Sequence, residues 1–192
     1  MLMTIPNIIT GFRLLLIPFF VLFFYLPYQW SFFLSAFIFI VAACSDILDG
    51  YLARKLNQSS AFGAFLDPVA DKLIVIIALV LLVEKFSSLC FTLPALVIIS
   101  REIIISALRE WMSTIGKHKT LAVSWLGKMK TIIQMTSISL FLIIHAEPIS
   151  WIYYLAYVGF YLAAILTLWS MLDYLKAAWP ALTSHSAHNG LD

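Results

Sequence analysis

Four aspartates, Asp46, Asp49, Asp67 and Asp71, fall within one short stretch and make up four of the ten acidic side chains in the chain. Each pair borders a long apolar run: residues 31–45 carry no charge ahead of Asp46, and residues 73–83 carry none after Lys72. A carboxylate beside hydrocarbon is costly unless it is paired, hydrated or bound to a metal. Asp46 and Asp49 are three apart, and Asp67 and Asp71 four apart. On helices both separations place side chains on one face, so two neighbouring antiparallel helices could aim four carboxylates at one point. Like charges that close repel, and divalent cations remove the repulsion. Oxygen-only donors suit Mg²⁺ or Mn²⁺ and offer zinc neither thiolate nor imidazole. The bland alternative is a set of buried ion pairs with Arg54, Lys72 or Arg101.

A second polar group is Arg101, Arg109, Lys128 and Lys130. Arg101 and Arg109 are eight apart, near one face of a helix. Such a cluster is either a collar of cytoplasmic positive charge or a pocket for an anionic group. Arg grips phosphate through two parallel hydrogen bonds, and Lys adds a point charge. Gly50, Ala53 and Gly63 are small enough to let membrane helices pack closely. Arg54 could snorkel at a helix end.

The elements that must position these residues follow from composition. The chain of 192 residues is 62% hydrophobic and 11% charged, with a mean hydropathy of +0.98. Soluble domains average about 45–50% apolar and about 25% charged. The expected fold is therefore an all-α integral membrane protein, with six transmembrane helices preceded by a short amphipathic N-terminal segment. Met1–Arg13 forms that lead-in, with a turn at Pro6 and Asn7. The spans are Ile8–Tyr25, Ser31–Arg54, Gly63–Val83, a fourth from Phe91 through Glu110, Thr131–His145 and Ile149–Leu172. Pro27 with its aromatic neighbours breaks the first two apart, and Pro68 is tolerable in the third if it sits in the first helical turn. Residues 1–182 read as one membrane domain, and the polar tail, 183–192, as flexible. The first apolar run lacks an early basic region and a following small-residue cleavage site, so it is not read as a cleaved signal. Cys44 and Cys90 read as apolar filler. A net charge of +2 is too small to argue for nucleic acid. Six spans put both ends on one side, together with Lys55, Lys117, Lys119, His118, Lys128, Lys130 and Lys176; the opposite loops hold only Lys85. The basic side is expected to face the cytoplasm, with the aspartates at that end.

The pattern D-x-x-D-G-x-x-A-R-x8-G-x3-D-x3-D is complete as Asp46, Asp49, Gly50, Ala53, Arg54, Gly63, Asp67 and Asp71. It resembles the signature of the CDP-alcohol phosphatidyltransferases, membrane enzymes that move a phosphatidyl group from CDP-diacylglycerol to an alcohol. The strings I-P-N-I-I-T-G-F-R, F-G-A-F-L-D-P-V-A-D-K, R-E-I-I-I-S-A-L-R-E-W and V-S-W-L-G-K-M-K-T are similar to those of the bacterial branch that makes phosphatidylglycerophosphate from glycerol 3-phosphate. The likeness covers nearly the whole chain. It implies two divalent metals on Asp46, Asp49, Asp67 and Asp71, with Asp71 as general base. It implies room for the nucleotide at Gly50, Ala53 and Gly63, with Arg54 nearby. It implies an acceptor phosphate near Arg109, Lys128, Lys130 and Arg101, and gives Thr10 and Arg13 a place in the shared N-terminal string. It also implies a homodimer in a bacterial cytoplasmic (inner) membrane, with its site facing the cytoplasm. Other alcohol acceptors, a cardiolipin-type reaction with phosphatidylglycerol, and a divalent-cation transporter are the competing readings.

Overall fold

The computed structural model of the chain describes residues 5–56, 61–114, 125–144 and 150–188. Among the described residues there are six helices and no strand: α1 Ile5–Tyr25, α2 Gln29–Leu56, α3 Ala61–Phe86, α4 Leu89–Thr114, α5 Trp125–Ile144 and α6 Ser150–His188. Helices suit this composition because a helix satisfies its own backbone polar groups, as an apolar solvent demands. Stretches long and apolar enough to cross a bilayer lie in α1 (Ile8–Tyr25), α4 (Leu89–Met112) and α6 (Trp151–Lys176). Shorter apolar stretches lie in α2 (Gln29–Ser45) and α5 (Met129–Ile144). Large apolar side chains such as Leu22, Phe37, Val80, Leu93, Val158 and Ile165 face outward. In water that surface would be a liability; against lipid it is the solvent-matched face.

Three element boundaries differ from the sequence expectation. The lead-in is continuous with the first span, because α1 starts at Ile5 and takes Pro6 into its first turn, where a missing N–H costs nothing. Pro68 lies two turns inside α3 rather than in its first turn, because the helix begins at Ala61. Interior prolines also occur at Pro18 and Pro94; neighbouring helices make them tolerable in membrane bundles. Finally, α6 continues past Leu172 to His188. Asp173–Trp179 contains no glycine or proline, so the helix continues when hydrophobicity falls, and it passes Pro180 as well.

Side-chain contacts fix the directions of the helices. The Tyr25 hydroxyl donates to Glu84 Oε2 at 2.5 Å, joining the ends of α1 and α3, which are in contact and run parallel. Lys85 at the end of α3 lies 5.7 Å from the ring of Phe32 at the start of α2, so these two are antiparallel. Lys72 near the start of α3 donates to Ser106 late in α4. The pairs Tyr161–Cys90, Arg101–Ser170 and Arg109–Tyr174 advance together along α4 and α6, which are parallel. Gly159 of α6 faces Ser137 of α5. Neighbours in sequence thus alternate in direction, and one end of the bundle holds the starts of α1, α3 and α5 with the ends of α2, α4 and α6.

The core is a column of fully buried rings and aliphatic side chains, including Phe20, Phe39, Phe91, Phe141, Phe160, Leu79, Leu82 and Ile98. At Gly159 α6 approaches α5 closely. A Cβ added at Gly159 would stand 2.4 Å from Ser137 Oγ, and that hydroxyl is held by the Ile133 carbonyl at 2.8 Å. Gly159→Ala is expected to destabilise the folded protein by roughly 1–3 kcal/mol through overpacking. Thermal unfolding in detergent should show most of the loss restored in the Ser137→Ala/Gly159→Ala double variant. An unchanged midpoint for Gly159→Ala alone would show that α5 and α6 are not packed this closely.

Candidate active site

Two of the four aspartates, Asp46 and Asp49, lie in the last part of α2, and Asp67 and Asp71 in the first part of α3. The contact between Lys85 and Phe32 sets their relative heights. Moving 14 residues along α2 from Phe32 reaches Asp46, and moving 14 back along α3 from Lys85 reaches Asp71. Antiparallel helices of equal rise therefore carry the two aspartate segments to the same level. Asp71 is half-buried. The side chains of Asp46, Asp49 and Asp67 lie outside the described residues, as do those of Arg54 and Ala53; Gly50 and Gly63 are placed only by their helices. The donor set of four carboxylates on two contacting helices fits a hard divalent cation in its chemistry.

The N-terminal string joins the same end. Tyr25 and Glu84 meet, and 12 residues back along each parallel helix stand Arg13 and Lys72. Thr10 and Arg13 are fully buried. A buried arginine needs internal partners, so this part of α1 is built into the polar end rather than into lipid.

The basic residues divide into two settings. Arg101 of α4 and Lys130 of α5 are buried and share one carboxylate oxygen. Glu102 Oε1 accepts from Arg101 Nη1 at 2.8 Å and from Lys130 Nζ at 3.2 Å. The three side chains are only 8%, 3% and 19% exposed for Arg101, Lys130 and Glu102 respectively. Arg101 Nη2 also donates to Ser170 Oγ of α6 at 3.4 Å, and that hydroxyl donates to the Thr167 carbonyl at 3.0 Å. Arg109 is exposed instead. It donates to the Tyr174 hydroxyl at 3.1 Å and lies 5.3 Å from the centre of that ring. Both arginines therefore reach toward α6, but Arg109 is two turns nearer the helix end. Lys128 is placed on α5 with its side chain outside the described residues, and Lys117, His118 and Lys119 lie wholly outside them.

Two contacts bear on the bland reading of the aspartates as ion pairs. Lys72 donates to Ser106, and the carboxylate bonded to Arg101 is Glu102. Glu102, Ser106, Ser170 and Tyr174 are the residues that sequence reasoning passed over. An acid directly following an arginine within an apolar stretch was the available signal for Glu102. The serines and the tyrosine gave none, because their relevance arises only when α3, α4 and α6 meet.

Against known proteins, the family model described as CDP-alcohol phosphatidyltransferase matches residues 3–172. A protein of Shigella flexneri serotype 5b (strain 8401), named CDP-diacylglycerol–glycerol-3-phosphate 3-phosphatidyltransferase, is 57% identical over 174 residues, covering 91% of this chain and 94% of its own. Proteins of the same name from Escherichia coli strain K12 and from Escherichia coli O157:H7 match with the same identity and coverage. With eight signature residues in place on α2 and α3 and a match across most of its length, the chain belongs to the CDP-alcohol phosphatidyltransferase family.

Proposed function

We propose that the protein transfers the phosphatidyl group of CDP-diacylglycerol to the free primary hydroxyl of sn-glycerol 3-phosphate, releasing CMP and giving phosphatidylglycerophosphate. The observation that carries this reading is the shared bundle end. The aspartate segments of α2 and α3 stand there with a buried cluster in which two cations share one carboxylate. The relatives' names point to the same pair of substrates.

The acyl chains of the donor lie in the bilayer against the apolar flanks of the helices. Gly50, Ala53 and Gly63 leave room for the cytidine nucleotide, and Arg54 lies beside it. Two divalent cations, Mg²⁺ or Mn²⁺, on Asp46, Asp49, Asp67 and Asp71 supply charge neutralisation for the pyrophosphate when bound. Arg101 and Lys130 hold the acceptor phosphate, and the family likeness adds Lys128, Arg109, Thr10 and Arg13 to that set. Asp71 takes the proton of the acceptor hydroxyl as its oxygen attacks the diacylglycerol-bearing phosphorus. The new P–O bond forms, the bond to the CMP phosphate breaks, and CMP leaves. The basic end faces the cytoplasm of a bacterial inner membrane, which gives both water-soluble species direct access.

Purified protein in detergent, given CDP-diacylglycerol, labelled glycerol 3-phosphate and Mg²⁺, should form labelled lipid and CMP. Both products should be lost with EDTA and in Asp67→Ala. Lipid formed only from another alcohol would overturn the acceptor while keeping the chemistry. Asp71→Asn should fold normally and lower kcat by about 10²–10⁴, the usual contribution of a positioned base. Near-full activity in that variant would move the base elsewhere.

A further inference from the structure

Glu102 occupies an unusual position in charge terms. It is one carboxylate between two buried cations, so the cluster keeps an excess positive charge. Lys72 of α3 adds a further positive charge within electrostatic reach of Glu102, while Ser170 and Thr167 of α6, on the other side of Arg101, are neutral. Hydrogen-bonding capacity is also left unspent. Arg101 Nε, Gln134 Oε1 and Thr167 Oγ1 are buried without a partner. Excess positive charge and the idle donors, the Arg101 Nε–H and the Thr167 hydroxyl, are stabilised in a dry place by a bound anion, whereas Gln134 Oε1 can only accept.

The geometry points to Glu102 as a positioning residue for the acceptor phosphate, which it serves without touching it; this rests on the acceptor reading above. Arg101 and Glu102 are consecutive on α4, where successive side chains point about 100° apart. They converge at one oxygen that Lys130 approaches from another helix. Without the carboxylate, the two cations repel and separate. With a second carboxylate, the cluster would be neutral and a phosphate would gain little. One carboxylate fixes the spacing of the cations and still leaves a net positive charge. The cluster thereby selects a phosphorylated acceptor over a neutral alcohol such as glycerol.

The test uses full-length Glu102→Gln and Glu102→Asp in detergent. Rates are measured against glycerol 3-phosphate, against CDP-diacylglycerol and with glycerol as acceptor. Thermal stabilisation by inorganic phosphate is measured without the lipid substrate. Glu102→Gln should raise KM for glycerol 3-phosphate about tenfold or more, because Arg101 and Lys130 lose the charge-assisted contacts that space them. Its kcat should stay within about threefold and its KM for CDP-diacylglycerol should not change. Selectivity over glycerol should fall, and the stabilisation that phosphate gives the wild type should disappear. Glu102→Asp keeps the charge, and with it the fold, but moves the carboxylate by one methylene; its KM should be intermediate. An unchanged KM with reduced apparent kcat in both variants would make Glu102 a structural ion-pair partner and overturn the proposal. A lowered KM would overturn it too, by showing that the carboxylate only repels phosphate. If the wild type is stabilised by phosphate but makes no lipid from glycerol 3-phosphate, the reaction assignment fails. The phosphate arm then still decides Glu102, because retained stabilisation in Glu102→Gln sinks the proposal.

Discussion

Backbone polar groups in hydrocarbon must be satisfied within the segment that carries them, and the rest of this structure follows from that constraint. Each crossing is a whole helix, so a charge placed within one, such as Arg101 or Arg13, is buried among the other helices rather than turned to lipid. Alternating direction then sorts the helix ends onto two faces of the bundle. The three helices that finish at the charged end, α2, α4 and α6, have 28, 26 and 39 residues. At about 1.5 Å per residue each exceeds a hydrocarbon core of about 30 Å. The surplus length at the end of α4 provides polar surface where Arg109 lies.

The two ends are held by different forces. At the end away from the aspartates, aromatic rings interlock: Phe91 stacks on Phe160 at 4.8 Å and meets Phe141 edge-on at 4.9 Å, while Tyr157 meets Phe141 edge-on at 5.0 Å. Such pairs add directional preference to apolar burial. At the charged end, polar links join the helices: Lys72 to Ser106, Lys130 to Glu102, Arg101 to Ser170 and Arg109 to Tyr174. The aromatic end can act as a rigid footing, leaving the polar end to be shaped by what it binds. Sites built on helices whose packing is fixed elsewhere hold their geometry better than sites on loops.

The buried triad shows why charge in this bundle is informative. An ion pair taken from water recovers its desolvation cost only through close, well-supported contacts. Arg101, Glu102 and Lys130 meet at hydrogen-bonding distances, yet two cations share a single anion. An arrangement serving stability alone gains nothing from the unmatched charge. Arg109 contrasts with it, exposed and stacked on Tyr174, where solvent carries most of the electrostatic cost.

The sequence by itself determined the class of the fold and the family. Apolar runs near bilayer length, broken by Pro27 and by short polar stretches, dictate helices, and the spacing of Asp46, Asp49, Asp67 and Asp71 needs only helical periodicity to be read. Local stops were less legible. Pro6 and Pro68 were accommodated inside helices, and α6 ran on beyond its apolar stretch, because packing and helix propensity outweigh single residues. Only the tertiary structure decided which charges share a partner. Glu102 with Lys130, Lys72 with Ser106, and Arg109 with Tyr174 are 28, 34 and 65 residues apart. Periodicity gives the face on which a side chain lies on its own helix. Which helix that face meets, and at what height, is set by the contacts that fix direction and register, such as Tyr25 on Glu84 and Lys85 over Phe32.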